Sequence, residues 1–344
     1  MQAVILAAGR STRTYPLTLI RPKPLLKAAN KTILEHNLDS LSGIADEVIL
    51  IVGYKKEMIR EKFGNNYNNI QIRYIEQKEQ LGTGHAAMLA EPYIKGNFIL
   101  MAGDDIYSRD DIKKCIKHQY SVLTSTAKNP KNFGVIIQKN GILTDFIEKP
   151  KKFISDVINT SFYTFNKKIF YYLKRIGKSE RNEMELPDAI KLLSMKEKIH
   201  CVKAKQWLPV GYPWDLLKAD KALRGNKNVI GRNAKIEGTI KNSAIGNDCI
   251  AQGTIKNSII MDGAIIDEGS IIDDSIIGEN VHFSGKIRSG SNAYSMVSGN
   301  KISIGRFGAV VGDNVEAQKV IIAPGCKIWP GKKISNQTIR KDLM

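Results

Sequence analysis

Cysteine is scarce: four in 344 residues (Cys115, Cys201, Cys249 and Cys326), far apart and with no C-x-x-C pair. That excludes a disulfide framework and a zinc cage, and leaves each thiol to pack as a small buried hydrophobe. Long apolar runs are missing as well. None approaches the roughly 18 residues of a membrane span, and the start MQAVILAAGR has no basic stretch followed by a long apolar one. The expectation is a cytoplasmic protein with no membrane partner. Acidic residues are the third shortage: 34 Asp+Glu face 52 Lys+Arg, a formal charge of +18. An anionic partner is implied. The basic residues are spread along the chain, without the dense block or aromatic interleaving of nucleic-acid binders. Phosphorylated small molecules fit the same charge, and composition alone does not choose. Hydrophobic residues at 42% and charged residues at 25% describe a folded chain, long enough for two domains.

Two textures divide the sequence. From Met1 to about Asp220, the apolar runs AVILA (3–7), EVILIVG (47–53), IQIRYI (70–75) and FILMAG (98–103) alternate with helical stretches at 32–43, 55–64 and 83–94. That alternation implies parallel β-α-β units and a sheet covered on both faces. Ligands of such sheets bind beyond the carboxyl ends of the strands, so the loops after Leu6, Val52, Ile75 and Met101 are where chemistry is sought. From about Val229 to the end, apolar residues recur every six positions: Ile230 and Ile236; Ile260, Ile266 and Ile272; Ile277 and Phe283; Ile322 and Ile328. Gly, Asn and Asp cluster between them. A six-residue period with turn residues is the mark of a hexapeptide β-helix; a sandwich spaces its turns every 8–12 residues. The rhythm breaks at about Arg288–Ile302, read as a loop leaving the coil, and 221–228 reads as the connection between domains.

The chemistry-bearing motifs follow the strands. LAAGRSTRTYPLT (6–18) and RPKPLL (21–26) combine a small-residue turn at Gly9 with Arg13 and Lys23, a suitable cradle for phosphate. QKEQLGTGHAAMLA (77–90) offers the amides of Gln77 and Gln80, the hydroxyl of Thr83 and the close approach of Gly82 and Gly84, suited to reading a base edge. Thr83 also suits a helix cap. FILMAG ends in Gly103-Asp104-Asp105, acids placed to hold Mg²⁺ bridging phosphates. Helix capping of 110–119 would fall to Asp110, which leaves Asp104 to chemistry. In FIEKP (146–150) and NTSFYTF (159–165), Glu148 can accept from sugar hydroxyls, Lys149 can pair with phosphate, and Asn159 can donate or accept. The histidines His36, His85, His118 and His200 are expected to be unclustered and structural.

In this order the motifs LAAGRSTR…PKPLL, EQLGTGHA, AGDD, FIEKP, INTSFY, EMELPDAI and WLPVGYPWDLLKA, followed by hexapeptide repeats, resemble the sugar-1-phosphate nucleotidylyltransferases. EQLGTGHA most resembles the bacterial bifunctional N-acetylglucosamine-1-phosphate uridyltransferase, while the EKP and VGYPWDLLKA forms and the overall length look more like archaeal relatives of that enzyme and of glucose-1-phosphate thymidylyltransferase. The resemblance implies an α/β Rossmann-like nucleotidyltransferase domain (1–220) followed by a left-handed parallel β-helix (229–344). It puts Leu6, Ala8 and Gly9 at the nucleotide, Arg13 and Lys23 at its phosphates, and Gln77, Gly82 and Thr83 at the base. It puts Asp104 at a Mg²⁺ ion and Gly134, Glu148, Lys149 and Asn159 around the sugar phosphate. The partners implied are a nucleoside triphosphate, UTP or dTTP, and a sugar-1-phosphate, with no nucleic acid, in a homo-oligomer that trimerises through the coil.

The chain departs from the family at two places. Ser11 stands where glycine is usual, and Pro209 stands where relatives read Trp-x-Asp-Val-Gly with the aspartate as second metal ligand. Asp215 is the candidate substitute; substrate phosphates and water are the alternative, with N-terminal helix charge as the structural explanation of Asp215. These departures motivate a rival reading, a non-catalytic regulatory or scaffold homologue. In the second domain IIDDSIIGEN (271–280) resembles an acetyltransferase region, but no histidine precedes the Asp-Ser pair. His282 is expected to point outward, and Tyr294 and Asn292 are at most a remnant site, so the coil is expected to be structural.

Overall fold

The Val, Ile and Leu runs lack polar alternation because both of their faces are covered. In the computed structural model, which describes all 344 residues, the chain divides into two compact units. The first comprises Met1–Gly9 and Leu34–Pro209, the second Arg10–Ile33 and Val210–Met344.

The first unit is built on a ten-stranded sheet of β1 (Gln2–Ala7), β2 (Glu47–Val52), β3 (Asn66–Tyr67), β4 (Ile70–Glu76), β5 (Phe98–Ala102), β6 (Ser121–Thr126), β7 (Gly134–Lys139), β8 (Ile142–Glu148), β9 (Val157–Phe165) and β10 (His200–Lys203). Their order is β7-β8-β10-β6-β9-β5-β1-β2-β4-β3. The centre β5-β1-β2-β4 is parallel, as the apolar runs require. The other half is mixed: β9 runs antiparallel to β5 and β6, and β7–β8 is an antiparallel hairpin. Its two-residue turn, Asn140-Gly141, has positive φ at both positions (52° and 74°), the geometry that Asn-Gly favours in hairpins.

The helices are α1 (Ile33–Leu41), α2 (Lys56–Phe63), α3 (Thr83–Met88), α4 (Arg109–Cys115), α5 (Lys168–Leu173) and α6 (Leu186–Ser194). α3 is shorter than the 83–94 stretch expected: Pro92 follows in a separate turn, Glu91–Tyr93, where its missing N–H is not needed. α4 is capped by Ser108, whose hydroxyl accepts from the Asp111 N–H, rather than by Asp110. No helix of the chain is long and apolar enough to cross a membrane.

In the second unit, α7 (Pro213–Arg224) covers the first half of the 221–228 stretch read as a connection and precedes the coil. Val229–Ile230, Ala244–Ile245, Ile259–Ile260, Ile276–Ile277, Val310–Val311 and Lys327–Ile328 pair in parallel, one above the next. Two further columns pair likewise, giving a three-column parallel β-helix. The six-residue spacing holds throughout only at one corner, from Ile230–Ile236 through Ile260–Ile266 and Ile277–Phe283 to Ile328–Ile334. The other corners are mostly tighter: bonded neighbours in successive turns are 15 or 17 residues apart. Ile245, Ile260, Ile277, Val311 and Ile328 fill the interior and are wholly buried. The stretch expected to leave the coil does so as an antiparallel hairpin of Gly290–Val297 and Asn300–Phe307.

Candidate active site

The carboxyl end of β1 is fixed by backbone before any side chain is considered. Ala8 O accepts from the Tyr54 N–H at 3.1 Å and from the Gln80 amide at 2.6 Å. Leu6 O accepts from the Gly103 N–H at 2.8 Å. A Cβ on Gly53 would stand 2.9 Å from Ala8 O, and one on Gly103 would stand 3.0 Å from Leu6 O, so both neighbouring strands need glycine where they meet this loop. Gln77 closes the other side. Its N–H donates to Val52 O (2.8 Å), and its side-chain amide reaches Gly82 O (3.2 Å) and His85 Nδ1 (3.1 Å). Gly82, at φ 102°, sits 2.5 Å short of Met184 O if given a Cβ. The Gly84 N–H donates to that carbonyl, and the Met184 N–H to Leu81 O. The Thr83 hydroxyl accepts from the Leu186 N–H at 3.1 Å, so it holds the loop before α3 to the start of α6 rather than capping its own helix.

One residue beyond Gly103 stands Asp104, half-buried and followed by Asp105, which accepts from the Trp207 indole N–H at 3.1 Å. Tyr107, wholly buried, donates to Thr160 O at 2.6 Å and so ties the acidic loop to β9 beside Asn159. Burial, and then the charges of Asp105 and Asp104, push its hydroxyl well above the ordinary tyrosine value. No three His, Cys, Asp or Glu side chains gather into a metal cage.

A second group forms where β7 opens. Gly134 lies opposite Glu148 in the hairpin, and a Cβ there would meet the Phe146 ring at 2.6 Å and Glu148 Oε2 at 2.7 Å. Glu148 faces Lys149 at 3.8 Å and Arg181 at 3.5 Å. Burial raises its pKa, with Lys149 and Arg181 pulling against the rise. Lys149 takes a left-handed turn (φ 46°). The Asn159 amide donates to the Tyr163 hydroxyl at 2.7 Å, and its Oδ1 accepts from the Ser161 N–H at 2.9 Å across an irregularity in the β9–β6 pairing. Gly134, Glu148, Lys149 and Asn159 thus belong to one neighbourhood, which Arg181 and Tyr163 complete. Both were missed in the sequence, since nothing local links position 181 to position 148.

The remaining candidates belong to the second unit. Ser11 sits in the left-handed region (φ 51°, ψ 51°), a conformation glycine adopts without strain, and its carbonyl accepts from the hydroxyls of Thr14 (2.7 Å) and Thr18 (2.9 Å). The exposed Arg13 guanidinium lies 5.5 Å from the centroid of Tyr212, whose ring stacks on Trp214 at 4.9 Å. Lys23 is buried at 3% exposure between Pro22 and Pro24. Asp215 is engaged on both oxygens: Oδ2 accepts from the Tyr212 N–H at 3.0 Å in a capping box, and Oδ1 from Lys218 at 2.9 Å.

Among the histidines, His118 and His200 stack at 3.9 Å, so they are not unclustered as expected; the pairing of β10 beside β6 brings them together. His282 is half-exposed and faces Asp267 at 2.9 Å. On the coil's hairpin, Tyr294 is exposed with Lys301 3.8 Å from its centroid, and Asn292 is exposed two residues before it.

Residues 2–226 match the family described as Nucleotidyl transferase, and residues 220–344 match the family described as GMPPB C-terminal domain. A protein named Bifunctional protein GlmU from Methanococcus maripaludis is 37% identical over 79% of this chain, which spans 62% of that relative's length. The protein of the same name from Methanocaldococcus jannaschii is 37% identical over 95% of this chain and 92% of its own. A solved structure of a glucose-1-phosphate thymidylyltransferase from Bacillus anthracis superposes with a TM-score of 0.60 at 25% identity, covering 66% of this chain and 96% of that one.

Proposed function

The chain belongs to the nucleotidyl transferase family, and from that premise we propose that it transfers a nucleotidyl group from UTP or dTTP to a sugar-1-phosphate, N-acetylglucosamine-1-phosphate or glucose-1-phosphate. An oxygen of the sugar phosphate attacks the α-phosphorus of the triphosphate, the bond from that phosphorus to the bridging oxygen breaks, and pyrophosphate leaves. No protein nucleophile is required, so rate comes from positioning and from neutralising charge.

The observation that carries this reading is the pairing of Gly103 with Leu6, which sets the acid-bearing loop directly beside the small-residue turn after β1. Leu6, Ala8 and Gly9 line the nucleotide, and Gln77, Gly82 and Thr83 set the loop that meets its base. Arg13 and Lys23 supply charge to the phosphates. Glu148 accepts from sugar hydroxyls, Lys149 pairs with the sugar phosphate, and Gly134 and Asn159 shape the pocket around them.

Mg²⁺ fits the donor set. Asp104 offers the hard carboxylate oxygen that Mg²⁺ takes, and phosphate oxygens and retained waters can supply the rest, as they commonly do for this ion. When bound, the ion supplies charge neutralisation between the two phosphoesters. Asp215, proposed as a second ligand, spends both oxygens on α7, which favours phosphates and water in that role.

Pyrophosphate release from UTP or dTTP with either sugar-1-phosphate, dependent on added Mg²⁺, is the expected assay result. No turnover in any of the four combinations removes the reading. Pro209, which offers no carboxylate, favours a second reading of a nucleotide-binding scaffold. Calorimetric binding of UTP without Mg²⁺-dependent turnover would support it. The coil is proposed to trimerise, giving a homo-oligomer without an acetyltransferase site.

A further inference from the structure

Residues 10–33 hold little regular structure: two short turns (Thr12–Thr14 and Lys23–Leu25) and a two-residue hairpin whose tip, Ala29-Asn30, is left-handed. Its turns are closed by short-range bonds of its own, such as Thr14 N–H to Ser11 O and Leu25 N–H to Pro22 O, but a segment without a long helix or a long strand ladder takes its course from what it is packed against. It packs within the second unit, and its anchors are charged. Arg21, 5% exposed, is paired with Glu279 and, at 2.7 Å, with Asp313. Lys27 pairs with Asp262. The Ala29 N–H donates to Asp220 at 2.9 Å and the Asn30 amide to Ile245 O at 2.7 Å.

The three coil acids share a position. Asn247, Asp262, Glu279 and Asp313 each stand two residues after a core residue of the first column: Ile245, Ile260, Ile277 and Val311. They form a ladder along one corner. Asp262 Oδ1 accepts from the Asn247 N–H of the turn below at 3.0 Å, and Asp313 Oδ1 accepts from the Glu279 N–H at 2.6 Å. A Cβ on Gly246 or Gly278 would lie 2.5 Å from Asp262 Oδ1 or Asp313 Oδ1, so glycine is what lets each acid reach down. In Asp262 and Asp313, one oxygen is thereby locked to the coil while the other faces a cation of segment 10–33.

We infer that this corner ladder, Asp262, Glu279 and Asp313, positions residues 10–33 and through them Arg13 and Lys23, so that the coil is part of the nucleotide-phosphate machinery. The inference rests on the reading that Arg13 and Lys23 act on the triphosphate. Buried ion pairs contribute weakly to net stability compared with apolar packing, and their best-attested use is to fix one arrangement among several. Here the fixed arrangement is that of Lys23, which Arg21 precedes by two residues and Lys27 follows by four. Arg21, Lys27 and the three acids are positioning residues; none is placed on the reacting atoms.

The test uses the full chain with Glu279→Gln, which leaves Arg21 its buried partner Asp313, and Lys27→Met, at the more exposed pair. Asp267→Asn breaks a coil pair facing His282 alone and serves as control, and Arg13→Ala tests the underlying reading. Glu279→Gln and Lys27→Met are each expected to raise KM for the nucleoside triphosphate about tenfold, leave KM for the sugar-1-phosphate within twofold, and speed amide exchange across residues 10–33. Asp267→Asn should change none of these. If Arg13→Ala impairs triphosphate use while Glu279→Gln and Lys27→Met leave KM and exchange unmoved, the inference falls and the reading stands. If Arg13→Ala itself has no effect, the reading falls and takes the inference with it.

Discussion

Glu148 sits where burial opposes its charge, and that opposition makes it testable by pH. Folding raises its pKa above the ordinary 4.5, so the folded chain holds this proton more tightly than the unfolded one. The cost to stability is present above the folded pKa and vanishes as pH falls below the unfolded value. Glu148→Gln is therefore expected to raise the melting temperature at pH 7 and to leave it unchanged near pH 4. The same substitution should raise KM for the sugar-1-phosphate tenfold or more, since hydrogen bonds to a charged acceptor are worth about 1.5–3 kcal/mol. Asp104→Ala should cost on the order of 3 kcal/mol of transition-state stabilisation, roughly a hundredfold in turnover, with melting temperature little changed. Asp104 and Glu148 were nameable as candidates from the sequence because strand-end acids and an E-K-P turn are local signals. Arg181 was not, since its place beside Glu148 comes only from the chain's return into α6.

At the scale of elements, α7 shows how one residue can be read two ways. Asp215 closes the capping box with Tyr212 and pairs with Lys218. Loss of such a cap costs about 1 kcal/mol. Asp215→Asn is expected to lower the melting temperature by a few degrees and keep turnover within threefold; a loss beyond tenfold would return Asp215 to the metal. The loop before α3 carries a sharper constraint. Gly82→Ala asks alanine to adopt φ 102° and to place a Cβ 2.5 Å from Met184 O. On the proposed reading that this loop meets the base, it should raise KM for the triphosphate by tenfold or more, read in steady-state kinetics, through displacement of the loop. Strands β1, β2 and β5 were legible from unbroken apolar runs, because double-sided burial leaves no room for alternation, whereas β4 alternates buried Ile70 and Ile72 with exposed Gln71 and Arg73. The antiparallel half was signalled only by Asn140-Gly141.

The whole molecule is divided in a way that its linear order hides. Residues 10–33 leave the sheet unit and fold with the coil, so removing residues 229–344 strips that segment of the partners of Arg21, Lys27 and Asn30 and leaves it only Asp220 among its named anchors. A chain ending at residue 228 is expected to lose more than a hundredfold of triphosphate turnover, or to be insoluble, when compared with the full chain. In the coil, Ile277→Ala should cost 2–5 kcal/mol by opening a cavity between Ile260 and Val311, its neighbours in the column, measured by denaturant unfolding of the full chain.

The sequence by itself determined the parallel centre of the sheet, the coil and its six-residue corner, and the family. All of these follow from periodic burial or from short motifs whose meaning is local. Tertiary structure alone decided the 15- and 17-residue turns, the stacking of His118 on His200, the company of Arg181 at Glu148, and the allegiance of residues 10–33 to the coil. Each of these depends on groups far apart in sequence meeting through packing and charge, and a linear pattern carries no record of such distances.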